Sequence, residues 1–128
     1  MKRLGISLLA SLMMMSTAHA KGKMTTGSPV ILGALDKSLI DKVIQQHSAK
    51  FLYCYQRELP KNPGLKGKVT LKFTISNTGS VAKSSVYKSS LANATVDACI
   101  NQQMKTLQFP EPKGGGIVIV QYPFVFSE

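Results

Sequence analysis

The run from Lys68 to Ile75 alternates strictly between polar and apolar side chains, and no other stretch constrains the fold as strongly. Its apolar members are Val69, Leu71, Phe73 and Ile75, and a lysine or a threonine precedes each of them. Because successive side chains of a strand point to opposite faces, the pattern predicts a strand with one buried face and one solvated, basic face. A sheet of this kind needs cover on one face only.

Two more strands are predicted. A Ser-Asn-Thr-Gly-Ser turn sequence follows the first strand and favours a hairpin to a second strand over residues 81–89. In that strand Val81 and Val86 have an odd spacing, which requires a β-bulge or only partial burial. The third strand, residues 117–126, contains Pro123, which cannot donate to a ladder and therefore indicates a free edge or a bulge.

Two other stretches, residues 36–59 and 93–107, place apolar residues at helical spacing. Pro60 and Pro63 end the first of these helices, since proline removes an N–H and clashes with the preceding turn. Both helices need an apolar surface and the sheet offers only one, so they should cover the same face. The expected fold is α+β over residues 35–128, with two helices packed on one face of a three-stranded antiparallel sheet.

The N-terminus, residues 1–20, has the features of a cleavable signal peptide. A basic start precedes an apolar core from Leu4 to Met15, and Ala18-His19-Ala20 is a small-x-small cleavage site. The apolar core is shorter than the ~20 residues that a membrane-spanning helix needs, so no membrane span is expected. Residues 21–34 are expected to form a flexible lead-in, whose apolar patch Val30-Ile31-Leu32 can dock as a short strand or cap.

The chain is strongly basic, with 16 lysines and arginines against 6 carboxylates and a formal charge of +10. Removal of Lys2 and Arg3 with the signal peptide leaves 14 against 6, a charge of +8. Arg57 is then the only arginine, and nucleic-acid readers favour arginine, so nucleic acid is not an expected partner. The excess charge suits solubility or an anionic partner such as lipid headgroups or an envelope polymer. The candidate contacts are the outward lysines of the hairpin: Lys68, Lys72, Lys83 and Lys88.

The two cysteines, Cys54 and Cys99, lie on the apolar stripes of the predicted helices. Cysteines in an exported chain favour a structural disulfide, and two free buried thiols are the alternative. A metal site that also uses His47 lacks a fourth ligand and paired spacing. The carboxylates lie mostly at helix ends and on polar helix faces, where capping and solvation explain them. The sequence therefore predicts a non-catalytic binding module without a cofactor or a metal.

Several short segments occur in an order that resembles a known family. They are Cys54-Tyr55, Asn62-Pro63, Gly67-Lys68-Val69, Phe73-Thr74-Ile75, Cys99-Ile100, Phe109-Pro110, Gly114-Gly115-Gly116 and Tyr122-Pro123-Phe124. In this order they resemble the AgmX/PglI C-terminal domain family, which is related to the C-terminal domain of the energy-transducing protein TonB. The resemblance extends from about Leu35 to Phe126.

The resemblance implies a periplasmic protein-interaction domain of a Gram-negative cell envelope, with a Cys54–Cys99 disulfide and a helix–hairpin–helix–strand order. In the TonB relatives, the last strand region pairs with a short segment of an outer-membrane receptor. An envelope protein would then bind by strand addition, and the candidate edge residues are Ile117, Ile119, Gln121 and Tyr122. The expected signal peptide takes the place of TonB's membrane helix and spacer, so the role of energy transducer is not expected. Binding of anionic polymer or lipid by the lysine face is the alternative function.

Overall fold

The computed structural model describes residues 22–128. The predicted signal peptide, residues 1–20, lies outside the described residues. No helix in residues 22–128 is long and apolar enough to cross a membrane. The elements, in chain order, are β1 (Lys23–Thr26), β2 (Val30–Leu32), α1 (Lys37–Gln46), α2 (Ser48–Gln56), β3 (Gly67–Ile75), β4 (Val81–Ser89), α3 (Ala94–Lys105), a 3-10 turn (Lys113–Gly115) and β5 (Val118–Ser127).

The strands form one antiparallel sheet in the order β1-β5-β3-β4, and β2 pairs with β5 beyond the end of β1. The α+β class is therefore confirmed, but the three-stranded sheet was wrong, because residues 23–32 add two short strands. These strands have four and three residues. Segments this short show too few alternations for a sequence pattern to indicate a strand.

The predicted first helix is divided in two at His47, so the two-helix expectation was also wrong. His47 has φ −112° and ψ 14°, outside the helical range, and its backbone N–H donates to the carbonyl of Ile44. Its Nδ1 atom lies 2.9 Å from the carbonyl oxygen of Val43. Apolar spacing continues through the break, so periodicity alone could not reveal it.

All three helices pack on one face of the sheet, around a single core. On that face Phe51 of α2 packs on Phe124 of β5, with ring centroids 4.8 Å apart. Tyr55 packs on Phe126 at 5.0 Å, and its hydroxyl donates to the carbonyl of Leu65 in the loop that leads into β3. Tyr55 thus joins the end of α2 both to β5 and to the loop that leads into β3.

Two register shifts occur where β4 pairs with β3, one between Thr70 and Leu71 and one between Thr74 and Ile75. As a result Val86 lies opposite Leu71 and Val81 lies opposite Ile75, on the helical side of the sheet. The bulge alternative is therefore the one that the strand adopts. The odd spacing of the two valines is absorbed by one extra residue between them, at the shift between Thr74 and Ile75.

Candidate functional site

The helices leave the second face of the sheet uncovered, and we call it the open face. Strand pairing decides which side chains it presents, because residues directly opposite each other point to the same side. Each row is given in the order of the strands, from β2 or β1 through β5 and β3 to β4; the third row begins on β5 and the fourth ends on β3. The rows are Leu32–Ile119–Thr74–Lys83, Val30–Gln121–Lys72–Ser85, Pro123–Thr70–Lys88 and Thr25–Val125–Lys68.

All four predicted lysines lie on the open face, and all are exposed. Lys68 and Lys72 alternate with buried residues of β3, as the sequence pattern predicted. Lys83 and Lys88 are an odd number of positions apart and would point to opposite faces of a regular strand. The register shift opposite Thr70 and Leu71 brings them to the same face. The bulge therefore brings all four lysines to one face. Lys23 of β1 adds a fifth lysine, at the edge of the sheet opposite β4.

No strand of the described chain contains an aspartate or a glutamate. The carboxylates lie in helices, in loops or at the C-terminus instead. The two ion pairs found in residues 22–128 use Lys37 and Lys61, neither of which is on the open face. The open-face lysines therefore create an uncompensated positive field.

An aromatic ring lies within this group of cations. The Nζ atom of Lys72 is 5.9 Å from the ring centroid of Tyr87, close to the limit for a cation–π contact. Tyr87 is 53% exposed and is one of the residues at the β4 bulge. Its ring therefore supports the Lys72 side chain above the sheet, where the ammonium group stays accessible.

The open face also presents exposed aliphatic side chains, on β2 and on β5. Val30 and Leu32 of β2 are 52% and 63% exposed, and Val125 of β5 is 36% exposed. Sequence reasoning placed Val30-Ile31-Leu32 in a flexible lead-in that can dock as a short strand or cap, but it did not predict that this patch joins the open face. The signal was the Val30-Ile31-Leu32 patch, whose alternate members now point outward on either side of the half-buried Ile31.

The predicted binding edge on the last strand is occupied by the chain itself. Leu32 pairs with Ile119 and Val30 pairs with Gln121, so β5 is an inner strand flanked on its other side by β3. Ile117 precedes the strand and is 58% exposed. Tyr122 is fully buried on the helical side. Of the four predicted edge residues, the structure brings only Ile119 and Gln121 together on the open face.

Pro123 explains why the edge expectation failed. The carbonyl of Pro123 accepts a hydrogen bond from the N–H of Gly27, in the linker between β1 and β2, at 3.1 Å. The side of β5 that lacks an N–H at Pro123 thus faces a gap between two short strands, where no ladder donor is needed. A proline in a strand here indicates an interrupted neighbour and not a free edge.

Tyr122 joins the sheet to α1. Its hydroxyl donates to Oδ1 of Asp41 at 2.7 Å, and burial together with this bond raises the pKa of Tyr122 to about 12. Burial alone would raise the pKa of Asp41, but hydrogen bonds from Lys37 and Tyr122 lower it below the ordinary 3.8. The pair is a structural tie, since Asp41 lies on the helical side of the sheet.

The remaining polar groups on the helical side have local structural roles. Cys54 and Cys99 form a disulfide with Cα atoms 5.7 Å apart, so the predicted disulfide is confirmed and neither thiolate is available to a metal. Burial raises the pKa of Asp97, which accepts a hydrogen bond from Ser89 at 3.0 Å. Glu58 contacts Lys61 and Asn93. These contacts give Asp97 and Glu58 local structural roles.

Comparison of the chain with protein-family models, with curated proteins and with solved structures found no match. The resemblance to the AgmX/PglI and TonB C-terminal domains therefore stays a prediction.

Proposed function

We propose that this protein is a non-catalytic binding module of the bacterial cell envelope, and that its open face binds a polyanionic surface. The observation that carries the proposal is the group of exposed lysines on strands without any carboxylate. The ligand chemistry is a repeated array of phosphates or carboxylates, as in an envelope polymer or a layer of lipid headgroups. Export to the periplasm belongs to the same proposal, and a disulfide bond is compatible with it.

The spacing of the lysines suits a repeated anion better than a single one. Lys72 lies on β3, and Lys83 lies on β4, two positions from the residue that pairs with Lys72. Neighbouring strands lie about 4.8 Å apart, so both lysines face the same region of solvent. Within residues 22–128, no contact brings two of these lysine side chains together at one point. A flat array of flexible cations gathers several ligand charges with little geometric selectivity, and its binding is screened by salt.

Neutralisation of two open-face lysines is expected to weaken polyanion binding. Each lysine near an anionic surface contributes about 1 kcal/mol, so Lys72→Gln combined with Lys83→Gln should lower the affinity for polyphosphate about thirtyfold at low salt. Fluorescence anisotropy with labelled polyphosphate measures the change. The matched control is Lys42→Gln with Lys50→Gln, two exposed lysines on the helices, which removes the same charge from the other side. Equal losses in both double variants would show non-specific attraction and contradict the proposal.

A second candidate function is strand addition at β5, as the family resemblance implies. One observation favours it: the outer side of β5 already pairs with extended segments, and seven residues in two short strands cover it. A partner segment would have to displace β1 or β2. The free edge of β4 is less suitable, because its lysines and two register shifts are features that protect edges from pairing.

Covalent attachment of β1 to β5 is expected to abolish strand addition that requires displacement of β1. Thr25 and Val125 are directly opposite each other, so Thr25→Cys with Val125→Cys should form a cross-strand disulfide that prevents displacement. Strand addition in place of β1 predicts that envelope proteins captured by the wild type at high salt are lost in the oxidised variant and recovered after its reduction. The reference is the wild type in the same reductant, because reduction also acts on the Cys54–Cys99 bond. Capture that is equal before and after reduction would exclude displacement of β1.

A further inference from the structure

The lysines and the aliphatic side chains of the open face together indicate one kind of polyanionic surface. We infer that the open face docks on an anionic lipid layer, with Val30 and Leu32 inserted among the lipids and the lysines at the level of the headgroup phosphates. The inference rests on the proposed function, which it narrows from any polyanion to a lipid surface.

In the two rows that include β2, the apolar and cationic residues lie towards different ends of the row. The row Leu32–Ile119–Thr74–Lys83 begins with an aliphatic side chain on β2 and ends with a lysine on β4. With about 4.8 Å between strands, its ends are about 14 Å apart. The row Val30–Gln121–Lys72–Ser85 repeats the order, aliphatic on β2 and cationic towards β4. The open face therefore has an aliphatic border beside a cationic field.

A soluble polymer would use only the cationic part. Binding of a polyphosphate or a polysaccharide leaves Leu32, 63% exposed, and Val30, 52% exposed, in water. A lipid layer removes both side chains from water and meets the lysines with phosphates, since the long aliphatic stem of lysine reaches from apolar depth to the headgroups. Both kinds of side chain then gain free energy from the same ligand.

A second copy of this chain is a poorer occupant. Pairing of two open faces would bring Lys68, Lys72, Lys83 and Lys88 of one copy towards their equivalents. No strand supplies a carboxylate to offset them. Like charges in a desolvated contact oppose association, so charge complementarity favours an anionic layer.

A single tryptophan at the aliphatic border is expected to report insertion directly. The chain has no tryptophan, so the emission of Leu32→Trp comes from that position alone. Protein purified from cells that express the full chain is mixed with vesicles of phosphatidylglycerol and phosphatidylcholine, with vesicles of phosphatidylcholine alone, or with polyphosphate. A blue shift of the emission is expected with the anionic vesicles only. Leu39→Trp, at a 38% exposed position on α1, is the matched control and should not shift.

Affinities for anionic vesicles and for polyphosphate distinguish docking on a lipid layer from binding of any polyanion. Leu32→Gln should lower binding to anionic vesicles about tenfold and leave polyphosphate binding unchanged, because only the lipid buries that side chain. The variants share one N-terminus, so residues 1–21 cannot cause a difference between them. Lysine-dependent polyphosphate binding without the tryptophan shift overturns the lipid inference and leaves the proposed function intact. Binding to neither ligand overturns both. A blue shift that grows with protein concentration in the absence of vesicles would identify a second copy as the occupant.

Discussion

Replacement of Cys54 and Cys99 by alanine is expected to lower the free energy of unfolding by about 4 kcal/mol. The bond joins α2 to α3 across a sequence separation of 45 residues, and a loop of that length restricts the unfolded chain strongly. A domain of this size has a total stability of about 5–15 kcal/mol, so the loss is a large fraction of it. Urea unfolding of the double variant, followed by far-ultraviolet circular dichroism, measures the change.

The control for this prediction is the wild type unfolded with and without reductant. It separates the loss of the cross-link from the loss of the two sulfur atoms, of which that of Cys54 is fully buried. Polyphosphate affinity below the unfolding transition should be unchanged, since the open face lies on the other side of the sheet. A loss of less than about 1 kcal/mol would show that helix packing alone holds α2 and α3 together.

Phe124→Ala is expected to cost about 3–5 kcal/mol of stability. Phe124 is fully buried at the centre of β5, and its ring centroid lies 4.8 Å from that of Phe51 and 5.4 Å from that of Tyr122. Truncation leaves a cavity between α2 and the sheet, and the aromatic neighbours cannot close around it without leaving their rotamers. Thermal and urea unfolding measure the effect.

The next residue in the chain provides a matched control for Phe124→Ala. Val125 is on the open face and is 36% exposed, so Val125→Ala should change stability by less than about 1 kcal/mol. The two variants differ by one position and by the face to which the side chain points. Similar losses in both would contradict the assignment of an uncovered face, because they would require Val125 to be packed as well.

A local sequence pattern was sufficient to predict a structural feature that lies within a single strand or helix. The alternation from Lys68 to Ile75 predicted β3 and the side to which Lys68 and Lys72 point. In a strand with one covered face, burial and hydrophobicity alternate with the same period, so the sequence alone predicted this part of the open face. The cysteine pairing was also predicted, since both residues lie on apolar stripes that must meet the same sheet.

Other features depend on contacts between distant parts of the chain. The shared face of Lys83 and Lys88 results from a register shift against β3, and no pattern within β4 shows it. The aliphatic border exists because β2 pairs with β5, about ninety positions further along the chain. The break at His47 leaves the apolar periodicity intact, so the predicted single helix matched the burial pattern but not the backbone.

The sequence alone determined a two-layer α+β domain with a helical side, a disulfide and a basic side, because hydrophobic period, turn residues and charge are local properties. Only the tertiary structure decided the candidate functional surface. It placed residues 23–32 along the edge of β5, which removed the predicted free edge, and it gathered the lysines beside an aliphatic border. Strand pairing is a non-local choice of partner and register, and a shift of one residue reverses the face of every side chain that follows.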